Sequence, residues 1–267
     1  MRSDLRRRWA PIGLALALAL PGCAVFRTPP PLTAETAYQR GMAAYAERRW
    51  TRAAELLQSW ADVSPGDPRL SEGLYALGTA RMESREYILA ATTLLRVVTE
   101  FPTGPRQEDA RFALCDAYHR LSPQPALDQT DTRTALLYCS SYIEYFPQAA
   151  RTDRARLWID EMRVKLARKS YDAGLWYFRR GAYDASVIYF AQAATEFPQT
   201  PVAPAALLRT AEAYDRIGYK EEAEEARTRL RTTYPRSTEA LSLPAAVAPA
   251  PAATPAAAPA TPAVPPA

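Results

Sequence analysis

The sequence predicts an all-α fold, a superhelical array of about five helical hairpins over residues 34–240. A proline recurs five times along this region, and an aromatic residue precedes it in four of the five cases. Ala, Leu, Arg and Glu are abundant whereas Ile and Val are sparse, a composition that favours helix over strand. The five recurring prolines are Pro65, Pro102, Pro147, Pro198 and Pro235.

Small residues at fixed distances before each proline indicate paired helices. Antiparallel helices approach closely where small side chains meet, and a proline ends the second helix because it cannot continue one. Successive hairpins then bury faces that no hairpin could bury alone. Twelve residues before the prolines stand Ala53, Ala90, Ala135, Ser186 and Ala223. Twenty-four before stand Gly41, Gly78, Gly174 and Ala211, with Cys115 thirty-two before Pro147.

Two departures from the basic repeat length predict extra structure. The intervals between prolines are 37, 45, 51 and 37 residues. We expect the third unit to carry a loop between its helices near Ser122–Asp131. The long interval into the fourth unit predicts extra helix over Thr152–Leu166, ahead of that unit's own first helix at about Ala167–Arg179.

The N-terminus has the pattern of an export signal. Four arginines precede or adjoin an apolar run, Trp9–Leu20, that is too short to cross a bilayer as a permanent helix. The run ends in Leu20-Pro21-Gly22-Cys23, which resembles a bacterial lipobox. By that resemblance residues 1–22 are a lipoprotein signal peptide, Cys23 carries the acyl chains and residues 23–33 form a lipidated tether. The alternative is a secretory signal in which Cys23 is incidental.

Sorting and the C-terminal segment are also predicted from composition. Ala24 follows the cysteine, and in the enterobacterial sorting pattern the absence of Asp there implies the outer membrane. From Pro244 onward the chain holds only Ala, Pro, Thr and Val. We expect residues 241–267 to be disordered or similar to polyproline II. They could serve as a spacer, contact the cell wall or have no partner.

Charge and residue usage disfavour several functional classes. The net charge is +4, and removal of residues 1–22, with four Arg and one Asp, leaves about +1. Basic and acidic residues alternate, so we expect no nucleic-acid partner. One histidine, His119, and two cysteines besides Cys23 cannot form a metal or Cys/His catalytic site. We therefore predict a non-enzyme without cofactor or metal.

The other two cysteines, Cys115 and Cys139, lie on facing sides of the third hairpin. An oxidising compartment would permit a disulfide. By position, however, Cys139 lies about one turn from the residue most directly opposite Cys115, which favours two buried free thiols over a bridge.

Aromatic residues recur three positions before the first small residue, at Tyr38, Tyr75, Phe112 and Tyr171. If the first helices line the concave face, these rings form a stripe that could take up an extended apolar peptide. Each ring could equally pack as core. We expect His119 to be a surface or groove hydrogen-bonding residue rather than a ligand. The predicted groove residues are Tyr38, Met42, Tyr45, Tyr75, Met82, Phe112 and His119.

The repeat spacings resemble tetratricopeptide repeats over residues 34–236, including Tyr118, Tyr177 and Tyr214 three positions after the first small residue. Together with the lipobox and the two length anomalies, the segment Lys169–Tyr183 resembles the BamD family, lipoproteins of the outer-membrane β-barrel assembly machine. Further matches are Phe197-Pro198-Gln199-Thr200 and Ala211-Glu212-Ala213-Tyr214. The Ala/Pro segment and the two extra cysteines depart from the family pattern.

The resemblance implies a lipid-anchored scaffold at the periplasmic face of the outer membrane. Its partners would be the periplasmic domains of the barrel insertase, the other lipoproteins of the machine and unfolded outer-membrane proteins. The last two repeats, approximately Arg179–Arg231, would bind the insertase, and the N-terminal groove would receive the unfolded substrate. The alternatives are a secretin pilotin, a cell-envelope coordination factor or a peptidoglycan-acting accessory protein.

Overall fold

The computed structural model describes residues 33–244, and within that range the chain forms eleven α-helices and no strand. The predicted all-α fold is therefore confirmed. The helices are α1 (Ala34–Ala46), α2 (Trp50–Val63), α3 (Leu70–Glu83), α4 (Tyr87–Glu100), α5 (Gln107–Leu121), α6 (Thr130–Tyr145), α7 (Thr152–Phe178), α8 (Tyr183–Glu196), α9 (Val202–Ile217), α10 (Lys220–Thr233) and α11 (Thr238–Leu241).

The helices pack as five consecutive hairpins. Each helix contacts the next along the chain, and the first helices of neighbouring hairpins also contact one another. The second helices, α2, α4, α6, α8 and α10, make no such mutual contacts in the described part of the chain. First helices that converge while second helices diverge place α1, α3, α5, α7 and α9 on the inner side of the curvature. The short α11 packs against α9 and α10 at the C-terminal end.

Each hairpin closes where a small residue of the first helix meets a large residue of the second. A Cβ atom added to Gly78 would lie 2.7 Å from Leu94 Cγ, and one added to Gly174 would lie 2.5 Å from Phe190 Cδ1. Only glycine permits so close an approach without moving its neighbour. In each pair the glycine stands twenty-four residues before the repeat's proline and its partner stands eight residues before it. The residues at these two repeat positions therefore face each other.

That facing explains why the prediction of two free thiols is wrong. Cys115 and Cys139 form a disulfide, with Cα atoms 4.7 Å apart, and both residues are fully buried. The expectation assumed that the two small positions face each other, which puts Ala135 opposite Cys115 and leaves Cys139 one turn away. In the structure Cys139 occupies the position of Leu94, directly across the helix crossing, so the two sulfur atoms meet.

Both length anomalies appear as predicted from the proline intervals. The third hairpin has residues 122–129 between the end of α5 and the start of α6. The predicted extra helix at Thr152–Leu166 runs without a break into the fourth hairpin's first helix, so that α7 has 27 residues.

The turn between the two helices of a hairpin requires a left-handed residue. The residue seventeen positions before the proline has a positive φ in four hairpins: 57° at Arg48, 63° at Arg85, 77° at Gly181 and 86° at Gly218. Glycine adopts this conformation without strain, whereas a residue with a Cβ does not. The first two hairpins therefore hold a strained turn where the last two hold a relaxed one.

The predicted signal peptide, residues 23–32 of the tether with Cys23, and residues 245–267 of the C-terminal segment lie outside the described residues. Among the helices that the structure describes, none combines the length and the apolar character needed to span a bilayer.

Candidate protein-binding surface

The predicted aromatic stripe lies on the first helices, at equivalent positions of α1, α3 and α5. Tyr38, Tyr75 and Phe112 are all half-buried rather than open to solvent. Tyr38 packs against Trp60, with ring centroids 4.7 Å apart, and both Tyr38 and Tyr75 border the apolar core of the first two hairpins. Each ring therefore presents one face to its own hairpin.

An arginine from the next hairpin covers each of these rings. Arg69, Arg106 and Arg151, each four residues after a repeat proline, lie immediately before α3, α5 and α7. Their guanidinium carbons are 4.3 Å from the centroid of Tyr38, 5.2 Å from that of Tyr75 and 4.8 Å from that of Phe112, respectively. These distances fit cation–π contacts. We call the three residues the arginine ladder.

The ladder also pairs with acidic residues at the start of the preceding first helix. Arg69 donates to Glu35 Oε2 at 2.8 Å and Arg106 donates to Glu72 Oε1 at 3.1 Å. Arg151 donates to Glu108 Oε1 at 2.9 Å and to Asp109 Oδ1 at 2.6 Å. Each arginine thus joins consecutive hairpins through both an ion pair and a ring contact. The sequence carries a pattern for these pairs: an acidic residue three or four positions before each ring, and an arginine four positions after the proline. A prediction based on the aromatic residues alone does not use this pattern.

Hydrogen bonds around Arg69, the first residue of the arginine ladder, shift the pKa values of the neighbouring carboxylates. The Arg69 side chain donates to Asp67 at 2.7 Å, and this contact lowers the pKa of Asp67 from 3.8 to about 2. The bond from Arg69 also lowers the pKa of Glu35. Bonds to Asp67 and Glu35 raise the pKa of Arg69 itself. All three groups therefore stay charged at neutral pH, and Arg69 stays paired with both carboxylates.

The ladder ends after the third hairpin. The position four residues after Pro198 is Val202, and the position of the acid before the ring is Arg168. Tyr171, the fourth ring of the predicted stripe, instead contacts Phe190 at 5.4 Å and lies under Arg168 of its own helix at 5.7 Å. The fourth and fifth hairpins are therefore joined without the ladder's ion pair.

The third hairpin's part of the predicted groove is covered by the extra turns of α7. Trp158 stacks on Phe112 at 5.2 Å and on His119 at 4.8 Å. His119 Nε2 lies 2.9 Å from Glu161 Oε2, which agrees with its predicted role as a hydrogen-bonding residue. No group of potential metal ligands occurs among the described residues. Phe112 and His119 are thus less accessible than the predicted groove requires.

The remaining predicted groove residues differ in accessibility. Met82 is only 7% exposed and belongs to the apolar core of the first two hairpins, so its place in an open groove is wrong. Its side chain turns inward because the position four after Gly78 faces the neighbouring helices. Met42 and Tyr45 are half-buried, and Tyr45 contacts Trp50 edge-on at 5.6 Å. Among the predicted groove residues, the accessible rings are therefore those of the first two hairpins.

The second surface predicted to bind a partner lies on the last two hairpins. Along α10, Arg231 pairs with Glu224 at 2.9 Å, and Arg227 pairs with Asp215 of α9. Other acidic residues of the same helix are exposed and form no ion pair in the described structure: Glu221, Glu222 and Glu225. Helix α10 thus has a strip of exposed acidic residues beside a strip of ion-paired residues.

The chain is similar to several known proteins. Residues 30–230 match a family model, YfiO, described as an outer membrane lipoprotein. The chain is 25% identical over 213 residues to the outer membrane protein assembly factor BamD of Caulobacter vibrioides, covering 78% of this chain and 70% of that protein. Among solved structures, a tetratricopeptide repeat protein from Parabacteroides merdae gives a TM-score of 0.37 at 15% identity, covering 75% of this chain and 79% of its own. The protein MamA MSR-1 gives 0.33 at 16% identity, covering 77% and 98%, respectively.

Proposed function

Because the chain belongs to the YfiO family of outer membrane lipoproteins, we propose that it is a non-enzymatic scaffold of the β-barrel assembly machinery. The observation that carries the proposal is the family match, which extends from the first hairpin into the last helix of the fifth. The relative from Caulobacter vibrioides is named as an assembly factor of outer membrane proteins, which supports the same role. The test is co-purification from cells. Recovery of the barrel insertase supports the proposal, and recovery of secretin subunits or cell-wall enzymes in its place would contradict it.

The scaffold is held at the periplasmic face of the outer membrane by acyl chains on Cys23. The lipobox spacing supports this anchor, and two or more chains bury enough methylene groups for firm attachment. Replacement of Cys23 by Ser should release the chain from the membrane fraction in cells that lack its partners. If Cys23→Ser still sediments with the outer membrane under those conditions, the anchor assignment is wrong.

The last two hairpins bind the periplasmic domains of the insertase. The exposed acidic residues of α10 support this assignment because charged rims steer association and set its specificity. Glu221→Lys together with Glu222→Lys should weaken binding without unfolding the chain, since both side chains are exposed. Glu55→Lys on α2, exposed in the first hairpin, is the matched control. Equal binding by the α10 variant and the control would contradict the assignment.

The first two hairpins receive segments of unfolded outer-membrane proteins. Tyr38 and Tyr75 lie on the inner side of the array, where a half-buried ring can bury an apolar side chain at low cost in entropy. Tyr75→Ala should reduce the capture of unfolded barrel protein by the purified chain, whereas Tyr219→Ala, an exposed ring of the fifth hairpin, should not. The same loss in both variants would reject the N-terminal location.

A further inference from the structure

The two length anomalies of the repeat meet at one place. Residues 122–129, the insertion of the third hairpin, are fastened to α7 by two lysines: Lys165 Nζ donates to Ser122 Oγ at 2.9 Å and Lys169 Nζ to the Leu127 carbonyl at 2.6 Å. Gln129 is fully buried and its amide donates to the Gln124 carbonyl at 2.8 Å and the Leu127 carbonyl at 3.1 Å. The insertion is therefore an ordered wall beside the second half of α7.

An open groove of about 420 Å³ lies between this wall and the helices α7 and α8. We call it the insertion groove. Tyr177 stacks on Tyr189 with ring centroids 5.2 Å apart and planes only 8° from parallel, and Trp176 meets Tyr177 edge-on at 4.8 Å. The rest of the lining is small and apolar at Pro125, Ala126 and Ala173 and charged at Lys169 and Asp172. Lys169 donates to the Leu127 carbonyl and Asp172 pairs with Arg168, so both charges already have partners within the described chain.

Trp176 is held in an exposed position rather than folded away. Half of its surface is accessible to solvent. The Arg180 guanidinium lies 3.7 Å from the Trp176 ring centroid and donates to the Trp176 carbonyl at 3.2 Å. A cation stacked on one face of the indole fixes the ring and leaves its other surface free to contact a ligand. The groove is thus rigid, aromatic and unfilled by the described residues.

Grooves of clustered aromatic rings bind proline-rich segments in the polyproline II conformation. The longest such segment of the chain is residues 245–267, with seven prolines and otherwise only Ala, Thr and Val, whereas the predicted tether holds only the short run Pro29-Pro30-Pro31. The segment has no charged side chain, so its only large contacts are apolar ones, which an aromatic groove supplies. It lies beyond the part of the chain that matches the family model, residues 30–230.

The segment begins close enough to reach the groove. The Pro244 carbonyl accepts a hydrogen bond of 2.9 Å from Arg231 of α10, which fixes the point of departure. The groove lies on α7 and α8, and with neighbouring helices 8–10 Å apart it is about 30 Å away. In the polyproline II conformation, at roughly 3.1 Å per residue, residues 245–267 span about 70 Å. Reach is therefore more than sufficient within one chain.

We infer that residues 245–267 occupy the insertion groove of their own chain. The prolines stack on Trp176, Tyr177 and Tyr189, and the insertion closes the groove from the side. The contact covers an exposed tryptophan that would otherwise face solvent. A partner that used this part of the third and fourth hairpins would first have to displace the segment.

A spin label on the segment tests the inference in the full mature chain. Cys23→Ser together with Ala256→Cys gives one free thiol, because Cys115 and Cys139 are bonded to each other. The mature chain has four indole groups, those of Trp50, Trp60, Trp158 and Trp176. The nitroxide should broaden the indole signal of Trp176 beyond detection and leave that of Trp50, in the first hairpin, at full intensity. Equal intensities for the two signals would overturn the inference.

Two controls identify the occupant. Ala173→Glu places a charge in the groove and should restore the Trp176 signal, whereas Leu137→Glu, at an exposed position of α6, should not. Mixing spin-labelled chain with unlabelled, isotope-enriched chain should leave every indole signal unchanged. Broadening of Trp176 in the mixture would instead assign the groove to the segment of a second copy, and persistence of broadening in Ala173→Glu would place the segment elsewhere; either outcome overturns the inference.

Discussion

The first three hairpins and the last two are built on the same plan but are held together differently. In the first three, the arginine ladder joins each hairpin to the next and a disulfide closes the third. In the last two, the ladder positions hold Val202 and Arg168, and no disulfide is present among the described residues. From this difference we predict that the N-terminal part of the scaffold is the more rigid one, because the fourth and fifth hairpins are joined to each other without the ladder's ion pair and without a disulfide.

Removal of the disulfide should weaken the N-terminal part most. Cys115→Ala with Cys139→Ala opens a loop of sequence separation 24, which corresponds to a loss of about 3 kcal/mol. Denaturant unfolding followed by hydrogen exchange should show the loss in α5 and α6 and unchanged protection in α9 and α10. Cys23→Ser is the control and should leave stability unaltered. Equal loss of protection in both parts would contradict the division.

Helix crossings should tolerate no added side chain in either part. Gly78→Ala and Gly174→Ala each place a Cβ against a large buried residue, Leu94 or Phe190, and should cost about 2 kcal/mol. Gly66→Ala is the control, because nothing lies within 4 Å of its added Cβ. Similar thermal unfolding midpoints for all three variants would reject the facing of positions twenty-four and eight.

Loss of one rung of the ladder should have a smaller effect. Arg106→Met removes the ion pair with Glu72 and the contact with Tyr75, together about 1 kcal/mol for partly exposed groups. Arg168→Met is the matched change in the C-terminal part, where the pair with Asp172 lies within one helix, and it should cost less than half as much. A double-mutant cycle with Glu72→Gln measures the coupling. Zero coupling would show that the arginine ladder does not stabilise the fold.

Acid should weaken the arginine ladder first at the pair of Arg69 and Asp67. Because the folded pKa of Asp67 is about 2 and its ordinary value is 3.8, the stabilisation is present above pH 4 and is lost as the pH falls toward 2. The thermal midpoint of the N-terminal part should decline over that window, and Asp67→Asn should flatten the decline. An unchanged slope in Asp67→Asn would show that other carboxylates govern the acid response.

Relaxing the strained turns should raise stability slightly. Arg48→Gly and Arg85→Gly replace a left-handed residue that has a Cβ, and each should add about 0.5 kcal/mol after the greater unfolded-state entropy of glycine is counted. The reverse change, Gly218→Ala, should cost about 1 kcal/mol. Destabilisation by both arginine replacements would mean that these side chains make a contact that outweighs the strain.

The repeat could be predicted from the sequence because each hairpin needs the same small residue, apolar residue and proline at the same spacing. Which residues of the two helices face each other could not be predicted, because the spacing gives positions along each helix and not which turns meet where the helices cross. The disulfide between Cys115 and Cys139 was therefore not predicted. The groove residues were predicted from one property, the recurrence of rings. Whether Arg106 or Trp158 covers a ring depends on the angle between consecutive hairpins, which the spacing does not determine.

Paired photo-crosslinking in cells tests the proposal that the N-terminal hairpins receive unfolded barrel proteins and the C-terminal hairpins bind the insertase. A photoreactive residue replaces Tyr75 in one strain and Glu222 in another, at the same expression level. The account predicts that Tyr75 captures nascent outer-membrane proteins and that Glu222 captures the insertase. Capture of secretin subunits or cell-wall enzymes at either position, with no barrel precursor and no insertase, would contradict it.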